Sequence, residues 1–217
     1  MIFTPETFQI TLLSLQISAI ATGVSLLIGL PLGTLLALGK FWGRSFLLSL
    51  VNTGMGLPPV VVGLFVAMTL WRSGPLGDWQ LIYTPTAIII AQTIIAAPVV
   101  TGLTAAALQS LDPRLRLQLY GLGASRGQMV WSLWREARLP LLAALMAGFG
   151  SVISEVGASM MVGGNIRYQT RVLTTSIVLE TSKGNFEVAL ALGALLLLIT
   201  FLVNWALTWI QQKGRRA

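Results

Sequence analysis

The sequence offers few side chains that could do chemistry. It has seven acidic residues, no histidine and no cysteine, which removes imidazole acid–base catalysis, thiolate nucleophiles and the usual zinc or haem ligands. The only aspartates, Asp78 and Asp112, are predicted to lie outside the apolar segments, whereas an intramembrane aspartyl protease needs two at membrane depth. We therefore predict no catalytic residue, no metal site and no bound cofactor, and a protein that is not an enzyme.

One carboxylate lies within an apolar stretch. Glu155 is the only charged residue between Leu139 and Ile166. An ionisable group at membrane depth costs enough free energy to imply a function or a firm partner. We expect its carboxylate to be hydrogen-bonded to Ser154, Ser159 or backbone amides and to have a structural or gating role. Direct contact with a substrate is the alternative.

Hydroxyl groups are concentrated in the segment 163–183. There Thr174, Thr175 and Ser176 stand among valine, leucine and isoleucine residues. This mixture is typical of a re-entrant or outer half-helix whose hydroxyls line an aqueous gap in the membrane. A surface loop with a short amphipathic helix is the alternative interpretation.

The elements that must position these residues are membrane helices. Of 217 residues, 55% are hydrophobic and 10% charged, with a mean hydropathy of +0.80, whereas soluble domains are about 25% charged. Five long intervals lack charge apart from Glu155, and each exceeds the ~20 residues that span a bilayer. Prolines such as Pro58 and Pro59 predict bends. The sequence predicts an all-α polytopic membrane protein, one transmembrane domain over 1–217, with spans at 8–39, 46–70, 85–108, 139–162 and 187–210.

The basic residues predict the orientation of the chain. With five spans the fourteen lysines and arginines divide ten to four between the two sides, and the richer side faces the cytoplasm. This puts the N-terminus outside and the C-terminus inside a cell membrane, so the net charge of +7 is a topology signal rather than a nucleic-acid-binding surface. The ten are Lys40, Arg44, Arg114, Arg116, Arg126, Arg135, Arg138, Lys213, Arg215 and Arg216, and the four are Arg72, Arg167, Arg171 and Lys183.

The predicted cytoplasmic loop 112–138 has a helical pattern of its own. Asp112 and Pro113 are typical of a helix start, and leucines recur at helical spacing after them. A glycine break precedes Ser125, which can cap a second amphipathic helix. We predict a helical hairpin that binds a partner, or alternatively rests on lipid head groups. The two apolar stripes are Leu115, Leu119 and Leu122 in the first helix and Val130, Leu133, Trp134 and Ala137 in the second.

The turn of this hairpin resembles the EAA loop of ABC importer permeases. The resemblance rests on Leu122-Gly123-Ala124-Ser125-Arg126, followed by an amphipathic helix and Leu139-Pro140. The Glu-Ala-Ala triplet itself is replaced here by Leu117-Gln118-Leu119, which indicates a subfamily. The resemblance implies that a coupling helix sits in a groove of the ATPase subunit. It assigns ATPase coupling to Leu119, Leu122, Gly123, Ala124, Ser125 and Arg126.

A second resemblance concerns the segment that contains Glu155. The runs 153–158, 162–166 and 170–175 read Ile-Ser-Glu-Val-Gly-Ala, Val-Gly-Gly-Asn-Ile and Thr-Arg-Val-Leu-Thr-Thr. They are similar to molybdate and sulfate permeases and most similar to the tungstate-specific permeases. Because a carboxylate would repel a dianion, a gating role suits Glu155 better than substrate contact. We assign the pathway or gate to Ser154, Glu155, Gly157, Asn165, Thr174 and Thr175.

The energy source must lie in another subunit. No G-x-x-x-x-G-K-[ST] phosphate loop occurs in the sequence, so ATP is expected to bind a partner ATPase. Five helices are few to enclose a pathway, which predicts a homodimer. The resemblance adds two ATPases and an extracytoplasmic oxyanion-binding protein, and implies import of tungstate by alternating access. Alternatives are a molybdate or sulfate permease, a stand-alone anion channel or secondary carrier, and a non-transport scaffold.

Overall fold

A computed structural model describes the backbone of residues 5–216 and the side chains of residues 5–212. Over this part of the chain the regular structure is entirely helical, which confirms the predicted all-α class. The ten α-helices are α1 (Pro5–Leu38), α2 (Arg44–Met55), α3 (Pro59–Leu70), α4 (Pro85–Gln109), α5 (Pro113–Gly121), α6 (Arg126–Glu136), α7 (Arg138–Ile153), α8 (Gly157–Gly163), α9 (Leu173–Ser182) and α10 (Phe186–Arg216), with a 3₁₀ turn at Gly77–Trp79.

The centre of the fold is the packing of α1 against α4. The buried face of α1 is made mostly of serine, threonine, alanine and glycine, which let two backbones approach closely. A Cβ atom placed on Gly33 would lie 2.6 Å from the carbonyl oxygen of Thr101. Val100 is fully buried between Gly29 of α1 and Gly148 of α7. Helices α1, α4 and α7 therefore form one tightly packed unit.

The second predicted span, 46–70, is not one straight helix. It divides into α2 and α3, which meet at an angle of 101° around Gly56 and Pro58. Pro58 precedes a proline at the first position of α3, where the missing N–H has no intrahelical partner to lose. The bend that the prolines predict is present, and the two halves together still qualify as one bent candidate span.

The fourth predicted span, 139–162, is also interrupted. Helix α7 ends at Ile153 and α8 begins at Gly157, so Glu155 lies at a break between two helices rather than inside a span. The summed hydropathy of the segment depends only on how apolar its side chains are, so it does not reveal such a break. The structure therefore provides the interruption that discontinuous membrane helices use to expose backbone groups.

By length and composition the described helices contain three to five candidate membrane spans. Helices α1 and α4 and residues 186–212 of α10 are each long and apolar enough to cross a membrane. Two bent pairs, α2 with α3 and α6 with α7, meet the same criterion when each pair is taken as one span. The predicted number of five is the upper end of this range. The predicted orientation stays a prediction, and the side chains of Lys213, Arg215 and Arg216 lie outside the described residues.

Candidate functional site

The carboxylate of Glu155 caps the N-terminus of α8. Its Oε1 accepts a hydrogen bond from the backbone N–H of Ala158 at 2.7 Å. Its Oε2 accepts two more at 3.0 Å, from the backbone N–H and the hydroxyl of Ser159. A helix N-terminus carries unpaired N–H groups and a partial positive charge, so it stabilises a carboxylate. Glu155 is 5% exposed, and these hydrogen bonds explain how its carboxylate can be buried away from water.

The capped break is tied to two neighbouring helices. The hydroxyl of Thr174 on α9 donates to the backbone carbonyl of Glu155 at 2.9 Å. The amide nitrogen of Gln92 on α4 donates to the hydroxyl of Ser159 at 3.3 Å. Gln92, Ser159, Glu155 and Thr174 thus form a buried polar network that links α4, α8 and α9. Two groups of this network, a backbone carbonyl and the carboxylate, belong to Glu155, the residue at the break.

Helix α3 packs against α8 without room for larger side chains. A Cβ atom on Gly63 of α3 would lie 2.6 Å from the Cα atom of Ala158. Gly157 meets the side chain of Val60 in the same way, at 2.5 Å. The break therefore lies in a cage of α3, α4 and α9, and the predicted importance of Gly157 has a steric basis.

The loop between α8 and α9 is held in shape by one threonine and a left-handed turn. The hydroxyl of Thr170, which is fully buried, donates to the carbonyl of Gly163 and accepts from the N–H of Ile166 at 3.0 Å. Gly164 and Asn165 have φ angles of +67° and +51°, and Asn165 donates to the carbonyl of Thr175 at 3.5 Å. The carbonyl oxygen of the Asn165 side chain is buried without a hydrogen-bond partner among the described residues.

The hydroxyls predicted to line an aqueous gap are buried instead. Thr175 and Ser176 both donate to the carbonyl of Val172, at 3.0 and 2.9 Å, and the N–H of Val172 donates back to Thr175 at 3.0 Å. With Thr174 they are at most 6% exposed. They hold the start of α9, which corrects the expectation that they face water in this chain. Ser154 is exposed and donates to the carbonyl of Gly150, not to Glu155.

An ion-pair cluster joins the start of α1 to the α8–α9 loop. The carboxylate of Glu6 contacts Arg167 and, at 3.2 Å, Arg171. The hydrogen bond to Glu6 raises the pKa of Arg167 above its ordinary value, so this side chain stays cationic. This cluster was not predictable from the sequence, because 161 residues separate Glu6 from Arg167.

The predicted hairpin is present as α5 and α6. Asp112 accepts from the N–H of Arg114 at 2.8 Å, and Ser125 with Gln128 forms a capping box. Gly123 has a φ of +76° and makes the turn, while the N–H of Ala124 donates to the carbonyl of Leu119 at 3.0 Å. The two predicted helices are confirmed; their coupling role stays a prediction.

The hairpin packs on the membrane helices through one apolar cluster. Leu119 belongs to that cluster together with Leu133 and Leu108, so it supports the hairpin from inside. Leu122, which the periodicity placed on the same stripe, is 84% exposed; the turn ends the helical repeat there. Gly123, Ser125 and Arg126 are exposed as well. The indole N–H of Trp134 donates to the hydroxyl of Thr34 on α1 at 2.9 Å.

Among the described residues no three histidine, cysteine, aspartate or glutamate side chains come together as a metal site would require. The arrangement instead consists of a capped helix break inside an apolar bundle and a separate helical hairpin at one end of it.

Comparison with known proteins places the chain in a transport family. Residues 29–216 match the family model described as "Binding-protein-dependent transport system inner membrane component". A "Probable anion ABC transporter permease protein" of Haloferax volcanii is 43% identical over 201 residues, which cover 90% of this chain and 87% of the relative. A "Tungstate uptake system permease protein TupB" of Peptoclostridium acidaminophilum is 38% identical over 97% of this chain and 92% of the relative.

Solved structures show the same fold. The inward-facing methionine ABC transporter MetNI is similar with a TM-score of 0.76 at 20% identity, covering 96% of this chain and 94% of that one. At this low sequence identity, the similarity shows a shared fold and nothing more. The family match and the close relatives establish the family. The chain belongs to the binding-protein-dependent transport system inner membrane components and is a permease subunit of an ABC importer.

Proposed function

We propose that this permease carries an oxyanion, with tungstate as its first candidate. The observation that supports the substrate is the identity to two tungstate uptake permeases: 38% to that of Peptoclostridium acidaminophilum over 97% of the chain, and 37% to that of Campylobacter jejuni over 76%. Permeases named for sulfate and molybdenum are 28% identical. Molybdate and sulfate are therefore the second candidates.

The capped break suits a moving part of an anion pathway. All three hydrogen bonds to the Glu155 carboxylate come from within four residues, so α8 and its cap can shift as one piece. The Thr174 and Gln92 bonds to this piece, together with the hydrogen bond from the N–H of Tyr83 to the carbonyl of Val162 at 2.9 Å, are long-range contacts that a shift would exchange. Three hydrogen bonds from its own segment satisfy this buried carboxylate, so we place it away from the transported anion. We assign Glu155 a gating or structural role, with Ser154, Gly157, Asn165, Thr174 and Thr175 positioning the gate.

An anion as strongly hydrated as a tetrahedral dianion needs a wet route. Moving a bare ion into a medium of low dielectric costs on the order of 20 kcal/mol per charge in the Born limit. The hydroxyls of Ser159, Thr174, Thr175 and Ser176 around the break are buried, so we infer that one copy of the chain does not enclose such a route. We propose that two copies of the chain enclose it between them and that alternating access exposes it to one side at a time.

The hairpin α5–α6 is the proposed contact with the ATPase subunit. Its membrane-facing side is filled by the apolar cluster, while Leu122 at the turn and Leu117, Tyr120 and Trp131 on the two helices are all more than half exposed. Apolar side chains exposed together mark a binding surface. The exposed residues Leu122, Gly123, Ser125 and Arg126 and the half-buried Ala124 would sit at the tip, with Leu119 supporting them.

The rest of the assembly is inferred from the family. A separate ATPase supplies ATP binding and hydrolysis, and a substrate-binding protein delivers the anion from the outer side. With the predicted orientation the N-terminus lies outside, the C-terminus inside, and the hairpin in the cytoplasm.

Elemental uptake tests the substrate. Cells with and without this gene receive trace tungstate, molybdate and sulfate, and their tungsten, molybdenum and sulfur contents are measured by mass spectrometry. Loss of tungsten alone supports the proposal. Loss of molybdenum or sulfur with tungsten unchanged assigns a different oxyanion, and no loss of any element contradicts oxyanion transport.

Substitution of Gly123 tests the coupling site. Gly123→Val places a β-branched side chain at a φ of +76°, where it is strongly disfavoured. We expect the ATPase to detach or its substrate-stimulated activity to be lost, with membrane insertion intact. Gly127→Val changes a neighbouring glycine that has open space around it and an ordinary helical position, and serves as the control. Normal stimulated activity in Gly123→Val would contradict the coupling role.

A further inference from the structure

A basic cavity lies where α1 passes into α2. The loop 39–43 and its flanking residues surround an open cavity of about 620 Å³. Three basic side chains line it: Lys40 of the loop, Arg44 at the start of α2 and Arg116 of α5. None of its lining residues is acidic. The cavity therefore presents concentrated positive charge that belongs neither to the helix break nor to the tip of the hairpin.

Two of the three cations are held in place by the fold. The Nε of Arg44 donates to the carbonyl of Leu36 at 2.7 Å, which satisfies a carbonyl at the end of α1 and fixes the guanidinium there. Gly43 makes the turn into α2 with a φ of +86°. Arg116 is half-buried on α5, a helix that is anchored to the bundle through Leu115 and Leu119. The charges thus converge because three separate elements meet.

The position of the cavity in the fold suits the boundary between membrane and water. It sits at the end of α1, a candidate membrane span over Pro5–Leu38. Beside it Trp42 is fully exposed, and Phe46 is 71% exposed. Exposed tryptophan next to the end of an apolar helix is typical of the interfacial aromatic belt at the level of the lipid head groups.

We propose that this cavity binds the phosphate head group of an anionic phospholipid. Arginine forms paired hydrogen bonds to phosphate oxygens, and lysine adds a mobile charge. Basic pockets beside the ends of membrane helices are suited to phospholipid head groups, and Trp42 and Phe46 would lie against the acyl chains. The site requires only that α1 crosses the membrane and is independent of the transported anion.

Native mass spectrometry of the permease with its ATPase, released from bilayers of phosphatidylcholine and phosphatidylglycerol, tests the site. The test variant is Lys40→Gln with Arg116→Gln, which leaves the structural hydrogen bond of Arg44 in place. The control, Arg114→Gln with Arg135→Gln, removes the same charge from exposed positions that do not line the cavity. We expect the test variant to bind phosphatidylglycerol about 30-fold more weakly, because each of the two basic residues contributes about 1 kcal/mol. The control should retain the lipid as the wild type does.

Three results would overturn the proposal. Equal retention of phosphatidylglycerol by the test variant and the wild type would show that the cavity is not the site. Binding of inorganic phosphate that is lost in the test variant, with no retention of phosphatidylglycerol by the wild type, would assign the cavity to a soluble phosphoanion. Loss of the ATPase subunit from the test variant with lipid retained would assign the basic residues to the subunit interface.

Discussion

The indole nitrogen of Trp134 lies 2.9 Å from the hydroxyl oxygen of Thr34, which joins the α5–α6 hairpin to α1 by a direct hydrogen bond. The residue next to Thr34 in the sequence, Gly33, lies against the backbone of α4. This contact provides a direct path by which we expect a displacement of the hairpin to reach α1 and the tightly packed centre of the bundle.

Trp134→Phe should weaken this connection and leave the hairpin folded. The ring still fills the apolar cluster, but the N–H donor is lost, and a neutral hydrogen bond contributes about 1 kcal/mol. We expect the ATPase to remain bound and the amount of anion transported per ATP to fall about two- to fivefold. Uptake and ATP hydrolysis measured together in proteoliposomes give this ratio.

Thr34→Val removes the same bond from the other side. If the bond is the cause, the double variant should show no greater loss than either single one. Additive losses would contradict a direct connection.

Glu155→Gln should destabilise the break without changing the choice of anion. The amide has one oxygen where the carboxylate offers two, so at least one of the donors at Ala158 and Ser159 loses its partner. A buried unsatisfied group costs about 1–3 kcal/mol. The melting temperature of the purified complex should fall, while competition between tungstate and molybdate stays unchanged.

Glu136→Gln, at an exposed position of α6, is the matched control for this loss of charge and should melt like the wild type. An altered preference between the two anions in Glu155→Gln would show that this side chain contacts substrate.

Gly33→Ala should destabilise the packing of α1 on α4. Its methyl group would lie 2.6 Å from both the carbonyl oxygen of Thr101 and the Cβ of Thr104, and backbone atoms cannot rotate away. Overpacking of this kind costs about 1–3 kcal/mol. Gly23→Ala, on the same helix with no atom within 4 Å of the new methyl group, should be neutral or gain up to about 1 kcal/mol. Thermal unfolding in detergent separates the two, and equal melting temperatures would refute the close contact.

The junction of α9 and α10 should weaken in acid. Hydrogen bonds from Lys183 at 2.6 Å and Asn185 at 2.8 Å hold the pKa of Glu180 below its ordinary value of 4.5. Because the folded-state pKa is the lower one, the stabilisation is present above pH 4.5 and is lost as the pH falls through the folded-state pKa. Glu180→Gln should flatten the acid limb of the melting-temperature profile. Glu187→Gln, at a nearby exposed carboxylate, should leave that limb as steep as in the wild type.

Local patterns predicted the elements whose cause is local. Asp112 and Ser125 cap α5 and α6 because a side-chain oxygen followed by free N–H groups is sufficient for a helix start. The hydrogen bonds of Glu155 to Ser159 and to backbone amides were predictable for the same reason, since the partners lie within four residues.

Long-range pairing was not predictable from one sequence. Gln92 and Ser159 are 67 residues apart, and the only signal was an amide in the middle of an apolar helix. The break in the fourth predicted span was missed for a different reason, whereas the bend in the second was predicted from Pro58 and Pro59. A window of hydropathy treats the apolar residues of α7 and α8 alike, whereas the break depends on how Glu155 caps the second helix.

The bend at Pro58 has a consequence for how the protein reaches its place in the cell. Helices α2 and α3 have 12 residues each, about 18 Å at ~1.5 Å per residue, and the hydrocarbon core is ~30 Å thick. Neither half can serve alone as an insertion signal during synthesis. We expect the pair to enter as one apolar stretch and to reach its bent form once α4, which is synthesised after it, places Pro98 against Gly54. On this view the bend is completed inside the bilayer, by a helix that arrives later.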